Sequence, residues 1–260
     1  MRIRLLGLLL PGLCICGLAA NAAETKDLPP DEIIKRFAAK EAEFAKAREN
    51  YTYRQSLKIQ ELTPGGAVQG QHEMVSDIIF SADGKRTEKV VRAPVSTMRL
   101  LLDPGDEQDL RNVQPFVLTT DQIAEYDIRY LGRQKVDEIP CYQFAVKPKK
   151  LEKGKRYFEG EIWVDDRDFQ IVKTFGKGVG LLKKGADNQY PRFETYRQQI
   201  DGKYWFPTYT RADDTLHFKD MSQRLRMTVK YEDYKQFKST ATVTFGEEVK
   251  DSNQKPPEKK

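Results

Sequence analysis

The chain has 260 residues, of which 44 are Lys or Arg and 39 are Asp or Glu, so its formal net charge at pH 7 is +5. Charges of both signs are interspersed along the chain, which argues against nucleic acid as a partner. Three cysteines are too few to stabilise a fold of this length by disulfides. Stability must therefore come from a hydrophobic core.

The N-terminal 23 residues have the organisation of a signal peptide. Two arginines precede an apolar run over residues 5–18, and small residues close the segment at 19–23. The run is shorter than the roughly 20 residues that a membrane helix needs, although an uncleaved anchor is the alternative. We therefore expect an exported, periplasmic protein in which Cys141 is the one cysteine of the mature chain.

Residues 31–48 are predicted to form an amphipathic helix. Apolar side chains recur there at helical spacing, Pro29 and Pro30 precede the segment, and Asp31 is a suitable N-cap. Basic residues in the last turn complement the helix dipole. One face of this helix must pack against another element.

The chain after residue 50 is mostly strand-like. Asp-Gly dipeptides at residues 83–84 and 201–202, each between apolar-alternating runs, predict antiparallel hairpins. Residues 103–126 break the pattern, and we expect them to cross one face of the sheet with a short helix near 121–125. The glycine-rich stretch at 176–180 is interpreted as a flexible loop between strands.

The mature chain is predicted to be one β domain over residues 24–247. Its last strands are expected at residues 225–231 and 241–245. The polar, Pro- and Lys-containing tail at 248–260 has the composition of a disordered segment.

Apolar and polar side chains alternate within each predicted strand, including one around residues 98–102, so the sheet has one apolar face. A single helix cannot cover the inner face of about ten strands. Either the sheet fills itself with its own side chains, or it curves around a cavity for an apolar ligand. An acyl chain gains about 0.8 kcal/mol per CH₂ in such a cavity. The lining predicted for the cavity is Ile78, Phe80, Leu100, Leu102, Phe144, Val146, Ile162, Val164, Ile171 and Phe175.

Motifs for catalysis or metal binding are not recognisable in the sequence. His72 and His217 are its two histidines, and they lie far apart without an HExxH or GxSxG pattern. Acidic pairs near turns offer too few oxygen ligands for calcium. We expect no catalytic residue, no metal site and no cofactor.

Two segments resemble the outer-membrane lipoprotein-sorting family of LolA/LolB-like proteins. Residues 158–173 read Phe-Glu-Gly-Glu-Ile-Trp-Val-Asp-Asp-Arg-Asp-Phe-Gln-Ile-Val-Lys and are similar to a strand–turn–strand element of that family. Residues 200–207 read Ile-Asp-Gly-Lys-Tyr-Trp-Phe-Pro and are similar to a later hairpin. The resemblance implies a mainly β fold, a strongly curved antiparallel sheet or half-open β-barrel with an N-terminal amphipathic helix and a short helical lid segment. It also implies a lid held by an arginine, for which Arg54 and Arg99 are the candidates.

Two classes of function remain open. The first is a monomeric periplasmic carrier of acylated lipoproteins or other lipids, with the apolar face as its binding site. The second is a non-catalytic envelope sensor or assembly module that binds a protein partner. Basic clusters beside turns are typical of solvated loops, with contact to a membrane surface as the alternative. A partly vacant apolar face would distinguish the carrier from the second class.

Overall fold

The computed structural model describes residues 28–81, 85–181 and 190–237. The predicted signal peptide (1–23), the strand at 241–245 and the tail at 248–260 lie outside these residues. Among helices in the described ranges, none combines the length and the hydropathy needed to cross a membrane.

The described chain is a curved, open antiparallel sheet with one long helix and several short helical elements on its concave face. The helical elements are α1 (Pro30–Arg48), α2 (Pro104–Gln108), a π-helical turn (Asp109–Val113) and a 3-10 turn (Ile123–Glu125). The strands are β1 (Tyr51–Leu62), β2 (Val68–Phe80), β3 (Arg86–Arg92), β4 (Tyr126–Val136), β5 (Ile139–Pro148), β6 (Tyr157–Asp165), β7 (Ile171–Val179), β8 (Phe193–Ile200), β9 (Tyr204–His217) and β10 (Ser222–Gln236). Their order across the sheet is β3-β2-β1-β10-β9-β8-β7-β6-β5-β4.

These elements confirm the predicted fold class and the N-terminal helix. Both hairpins expected at Asp-Gly dipeptides are present, since β2 pairs with β3 and β8 pairs with β9. At the second turn Asp201 and Gly202 have positive φ angles of 54° and 67°, as a type I′ turn requires. The pairing of β1 with β10 joins the two ends of the described domain.

Residues 93–125 carry the chain from edge strand β3 to the opposite edge strand β4. This crossover lies on the concave face, as predicted, because four of its apolar side chains are buried in the core of the sheet: Leu110, Val113, Phe116 and Leu118. The Phe116 ring, for example, stacks on the Phe158 ring of β6 with centroids 4.5 Å apart. Asp103 caps α2 with a capping box that includes Asp106.

The prediction of a flexible loop at residues 176–180 was wrong, because Gly176 and Gly178 lie inside β7. A Cβ on Gly178 would stand 2.0 Å from Oδ2 of Asp109, and one on Gly176 would stand 2.8 Å from the Phe158 ring. Gly178 therefore leaves room for the crossover and Gly176 for an aromatic ring on the concave face, and neither provides flexibility.

The prediction of a strand around residues 98–102 was also wrong. Thr97 donates its N–H to the carbonyl oxygen of Gln71 at 2.9 Å, and the chain then leaves the edge of the sheet. The alternation is nevertheless real, because Met98 and Leu100 are half-buried whereas Arg99 and Leu101 are exposed.

Candidate functional site

The concave face has one half that the protein's own side chains fill. Helix α1 packs there, with the Phe37 and Phe144 rings 5.5 Å apart, and the crossover covers the neighbouring strands. Half of the predicted lining lies in this filled half and is 0–2% exposed: Phe144, Val146, Ile162, Val164 and Ile171. None of these five residues borders either of the cavities described below.

The remaining predicted lining residues are dispersed. Ile78 and Phe80 are buried on β2, and Phe80 borders a separate cavity of 150 Å³ near Arg86. Phe175 is 38% exposed on the convex face. The reason is a bulge in β7, where Val172 is an extra residue between the pairs Val164–Ile171 and Trp163–Lys173. One inserted residue moves the rest of the strand to the opposite face.

Leu100 and Leu102 do border empty space, together with Met98, and we call residues 98–102 the roof segment. Beneath it lies the β9–β10 cavity, with a volume of 130 Å³. A dry cavity of about this size can bind a small apolar molecule. The apolar floor and walls of this cavity are formed by Ile59, Leu110, Phe193, Ala212, Leu216, Phe218, Leu225 and Met227.

A second space, the β1–β2 cavity, measures 460 Å³. It shares the roof segment and Leu110 with the β9–β10 cavity, and its floor includes Leu57 and Met74. Polar side chains, among them His72 and Glu88, also contribute to its walls. The roof segment therefore separates two neighbouring cavities over the half of the sheet that α1 leaves uncovered.

Backbone hydrogen bonds hold the roof segment on the sheet. Glu61 of β1 is 0% exposed, and its carboxylate accepts N–H hydrogen bonds from Arg99 at 3.0 Å and Leu100 at 2.7 Å. Gly70 of β2 permits this approach, because a Cβ there would stand 2.7 Å from the carbonyl oxygen of Thr97. These donors compensate the burial of a carboxylate, and the leucine side chains are left to line the cavities.

Helix α1 is attached differently, through a buried ion pair that the sequence analysis missed. Arg197 Nη1 of β8 lies 3.0 Å and 3.1 Å from the two carboxylate oxygens of Glu41, and Arg197 also donates to the carbonyl oxygen of Phe116. The candidate Arg54 is instead paired with Asp77 on the surface, and Arg99 is exposed. Glu41 and Arg197 are 156 positions apart, so no local pattern connects them.

One end of the β9–β10 cavity is acidic. Asp103, Asp106 and Asp109 all contribute to its wall, and Asp109 accepts two hydrogen bonds from Arg156, of 2.9 Å and 2.6 Å. Burial raises the pKa of Asp106 to about 6. Among the described residues, no group of three or more His, Cys, Asp or Glu side chains is placed to hold a metal ion.

Comparisons with solved structures find similar chains at low identity. A putative outer-membrane lipoprotein-sorting protein domain from Vibrio parahaemolyticus has 13% identity and a TM-score of 0.38, over 80% of this chain and 94% of that one. A DUF1329 family protein from Desulfovibrio piger has 13% identity and a TM-score of 0.36, over 78% and 92%. A LolA superfamily protein from Nitrosomonas europaea has 13% identity and a TM-score of 0.35, over 82% and 95%.

The chain is thus similar to lipoprotein-sorting structures over most of its length. No family model matches the sequence, and no curated protein matches it.

Proposed function

We propose that this protein is an exported, periplasmic, non-catalytic carrier that holds an acyl chain of a lipid or lipoprotein beneath the roof segment. The observation that carries the proposal is the uneven covering of the concave face. Helix α1 and the crossover fill one half, whereas the other half keeps apolar cavities under a segment without secondary structure. The candidate lining therefore keeps Leu100 and Leu102 from the sequence prediction and adds residues of strands β1, β2, β9 and β10.

Hydrophobic transfer supplies the affinity in this proposal. Each CH₂ group that leaves water for the cavity contributes about 0.8 kcal/mol, and the loss of translational freedom opposes binding. The roof segment is the entry point, because its side chains are only partly buried, whereas Ile33 and Phe37 of α1 are 0% exposed. Opening it breaks the hydrogen bonds to Glu61 but leaves the Glu41–Arg197 ion pair and the filled half of the sheet intact.

Lipid carried by the purified protein is the direct test. The full chain would be exported with its own leader, purified from the periplasm without detergent, and analysed by native mass spectrometry and solvent extraction. Ala212 is 4% exposed on the cavity floor, so Ala212→Phe should fill the space and lower lipid occupancy severalfold. Ala124→Phe, at an exposed position, is the matched control and should retain the lipid.

Leu100→Gln is a second variant in case Ala212→Phe disturbs the fold, which circular dichroism would reveal. It places a polar group in the roof without adding bulk to the floor, and it too should lower occupancy. Wild-type protein without associated lipid, or equal occupancy in wild type and both cavity variants, would contradict the proposal.

A second candidate function is the binding of a protein partner in the envelope. The observation that favours it is the outer side of edge strand β3, which pairs with no other strand among the described residues and where Val90 and Val91 are 53% and 52% exposed. Such an edge can accept an added strand. If β3 binds a protein partner, a photoreactive amino acid at position 91 should crosslink an envelope protein in cells. If the protein is only a lipid carrier, no specific protein adduct should form at that position.

A further inference from the structure

The cavity of 150 Å³ near Arg86 has a lining that acyl-chain binding does not explain. It lies beside the last turn of α1 and the β2–β3 hairpin, and three arginines border it: Arg48 of α1, Arg86 of β3 and Arg111 of the crossover. Every charged residue among its described lining residues is one of these arginines. We call this space the arginine cavity. Its volume equals that of about five water molecules at about 30 Å³ each, which admits a small oxyanion.

Arg48 carries a positive charge that the described part of the chain does not neutralise. Its side chain is half-buried, and its guanidinium has neither a hydrogen bond nor an ion pair within the described residues. Glu41 of the same helix is already paired with Arg197, and Glu49 does not border the cavity. Burial lowers the pKa of Arg48, but a guanidinium stays charged at neutral pH. An anion in the cavity would offset the cost of burying this charge.

Two further hydrogen-bond donors border the same space. The Tyr53 hydroxyl is near enough to Arg48 to interact with it electrostatically, and it has no hydrogen-bond partner among the residues that the structure describes. Arg111 is 50% exposed, and its Nε and Nη2 lie 3.6 Å and 3.4 Å from carboxylate oxygens of Glu88 and Glu107. Since a guanidinium has five N–H donors, the Nη1 group of Arg111 remains available.

The third arginine is held in place by the protein itself. Arg86 Nη1 lies 3.3 Å from the carboxylate of Glu88, and Arg86 Nη2 donates to Oε1 of Gln55 at 3.3 Å. Neither of these partners borders the cavity, so Arg86 presents its charge there from a fixed position. Rings of Phe, Tyr and Pro form most of the remaining wall: Phe44, Phe80, Pro115, Phe206, Pro207 and Tyr234. Such apolar surroundings strengthen the attraction between the arginines and an anion.

We propose that the arginine cavity binds a phosphate group, either as inorganic phosphate or as the phosphate of an ester. Arg48, Arg111 and the Tyr53 hydroxyl donate to the phosphate oxygens, and Arg86 adds positive charge. A phosphate monoester has a charge of about −1.5 to −2 at pH 7 and three acceptor oxygens, so it matches this set better than a carboxylate does. The site goes beyond the carrier function and does not depend on it. Because Arg111 also borders the β1–β2 cavity, the head group of a bound lipid is one source of the phosphate.

Isothermal titration of the full exported chain with inorganic phosphate, at pH 7.5 and low ionic strength in a phosphate-free buffer, would test the site. We expect saturable binding of one phosphate per chain, and acetate should bind at least about tenfold more weakly. Arg48→Met keeps an aliphatic side chain without the charge and should weaken phosphate binding at least about tenfold. Tyr53→Phe removes one donor and should weaken it severalfold.

Two esters distinguish the sources of the phosphate. Glycerol 3-phosphate and hexanoyl lysophosphatidic acid have the same phosphate, but only the second has an acyl chain. Equal affinities for the two esters would support a free phosphate or a small ester as the ligand. Binding of the lipid at least about tenfold more tightly would support a lipid head group, because the chain then leaves water as well.

Arg129→Met, at an exposed position on β4, is the charge-matched control and should leave phosphate binding unchanged. Circular dichroism would show that the variants keep the fold. Absence of phosphate binding, acetate binding as tightly as phosphate, unchanged affinity in both cavity variants, or an equal loss in Arg129→Met would overturn the inference. None of these results would contradict the carrier function, which the lipid content of the purified protein tests separately.

Discussion

Replacing Arg197 with methionine tests whether the buried ion pair fixes α1 on the sheet. The Arg197 and Glu41 side chains are 1% and 0% exposed, so the variant leaves a buried carboxylate with the N–H of Ile171 as a hydrogen-bond donor. Removing one partner of a buried ion pair costs about 3–5 kcal/mol. That loss is a large part of the roughly 5–15 kcal/mol that stabilises an ordinary domain.

Urea unfolding followed by circular dichroism at pH 7.5 would measure this loss. Arg211→Met is the matched control, because Arg211 pairs with Glu194 while its own side chain is 58% exposed. The control should lose no more than about 1 kcal/mol. The double variant Glu41→Met/Arg197→Met should be more stable than Arg197→Met alone, because it removes both buried charges and leaves no unpaired carboxylate.

The pH dependence gives a second readout of the same pair. Burial raises the pKa of Glu41, and the Arg197 guanidinium opposes that shift. Without the arginine the pKa of Glu41 rises further, so the folded variant binds a proton more readily than the unfolded chain does. The stability deficit of Arg197→Met should therefore shrink between pH 7.5 and pH 5. A loss as small as that of Arg211→Met, independent of pH, would refute the reasoning.

Three further predictions concern the cavity half. Glu61→Ala removes the acceptor for two roof amides and should speed hydrogen exchange at Leu100 at least about tenfold, a loss of about 1.4 kcal/mol, as seen by exchange mass spectrometry. Burial raises the pKa of Asp106 from 3.8 to about 6, so its ionised form destabilises the folded state and the free energy of unfolding falls as the pH rises from about 4 to about 6. Asp106→Asn should remove up to about 3 kcal/mol of this pH dependence, measured by urea titrations at pH 4 and pH 7.5. Gly178→Ala should cost about 1–3 kcal/mol, whereas Gly65→Ala, whose added Cβ would have its nearest neighbour at 3.8 Å, should change stability by no more than about 0.5 kcal/mol.

Each of these three predictions has a clear contrary result. Unchanged exchange at Leu100 in Glu61→Ala would show that the roof segment is held by other contacts. If the free energy of unfolding depends on pH in the same way in wild type and Asp106→Asn, Asp106 does not contribute to that dependence. Equal effects of the two glycine substitutions would show that Asp109 does not need the space above Gly178.

The sequence was sufficient where local chemistry decides structure. Helix α1 follows from its helical spacing and flanking prolines, and the β8–β9 hairpin follows from Asp201-Gly202, because only a few residues tolerate positive φ. The alternation at residues 98–102 correctly separated half-buried Met98 and Leu100 from exposed Arg99. It could not show that these residues leave the sheet, because alternation reports burial on one side and not hydrogen bonding to a neighbouring strand.

Features that depend on contacts between residues far apart in the chain could not be predicted from the sequence. The bulge at Val172 has no local signature, and it alone moved Phe175 to the convex face. Gly176 and Gly178 have the composition of a loop, yet Gly178 makes room for Asp109, which lies 69 positions earlier in the chain, and Gly176 makes room for the Phe158 ring. The position of the cavity depends on which strands α1 covers, and that choice is fixed by the long-range pair Glu41–Arg197.

The measurement closest to the central claim is the dependence of affinity on chain length. Octanol, decanol and dodecanol share one neutral head group, so their binding to the wild-type protein should strengthen by about 0.8 kcal/mol per CH₂ until the space beneath the roof is filled. Leu100→Gln should flatten this slope, whereas Leu131→Gln, 38% exposed on β4, should preserve it. An affinity that does not change with chain length, or a slope that both variants reduce equally, would contradict binding beneath the roof segment.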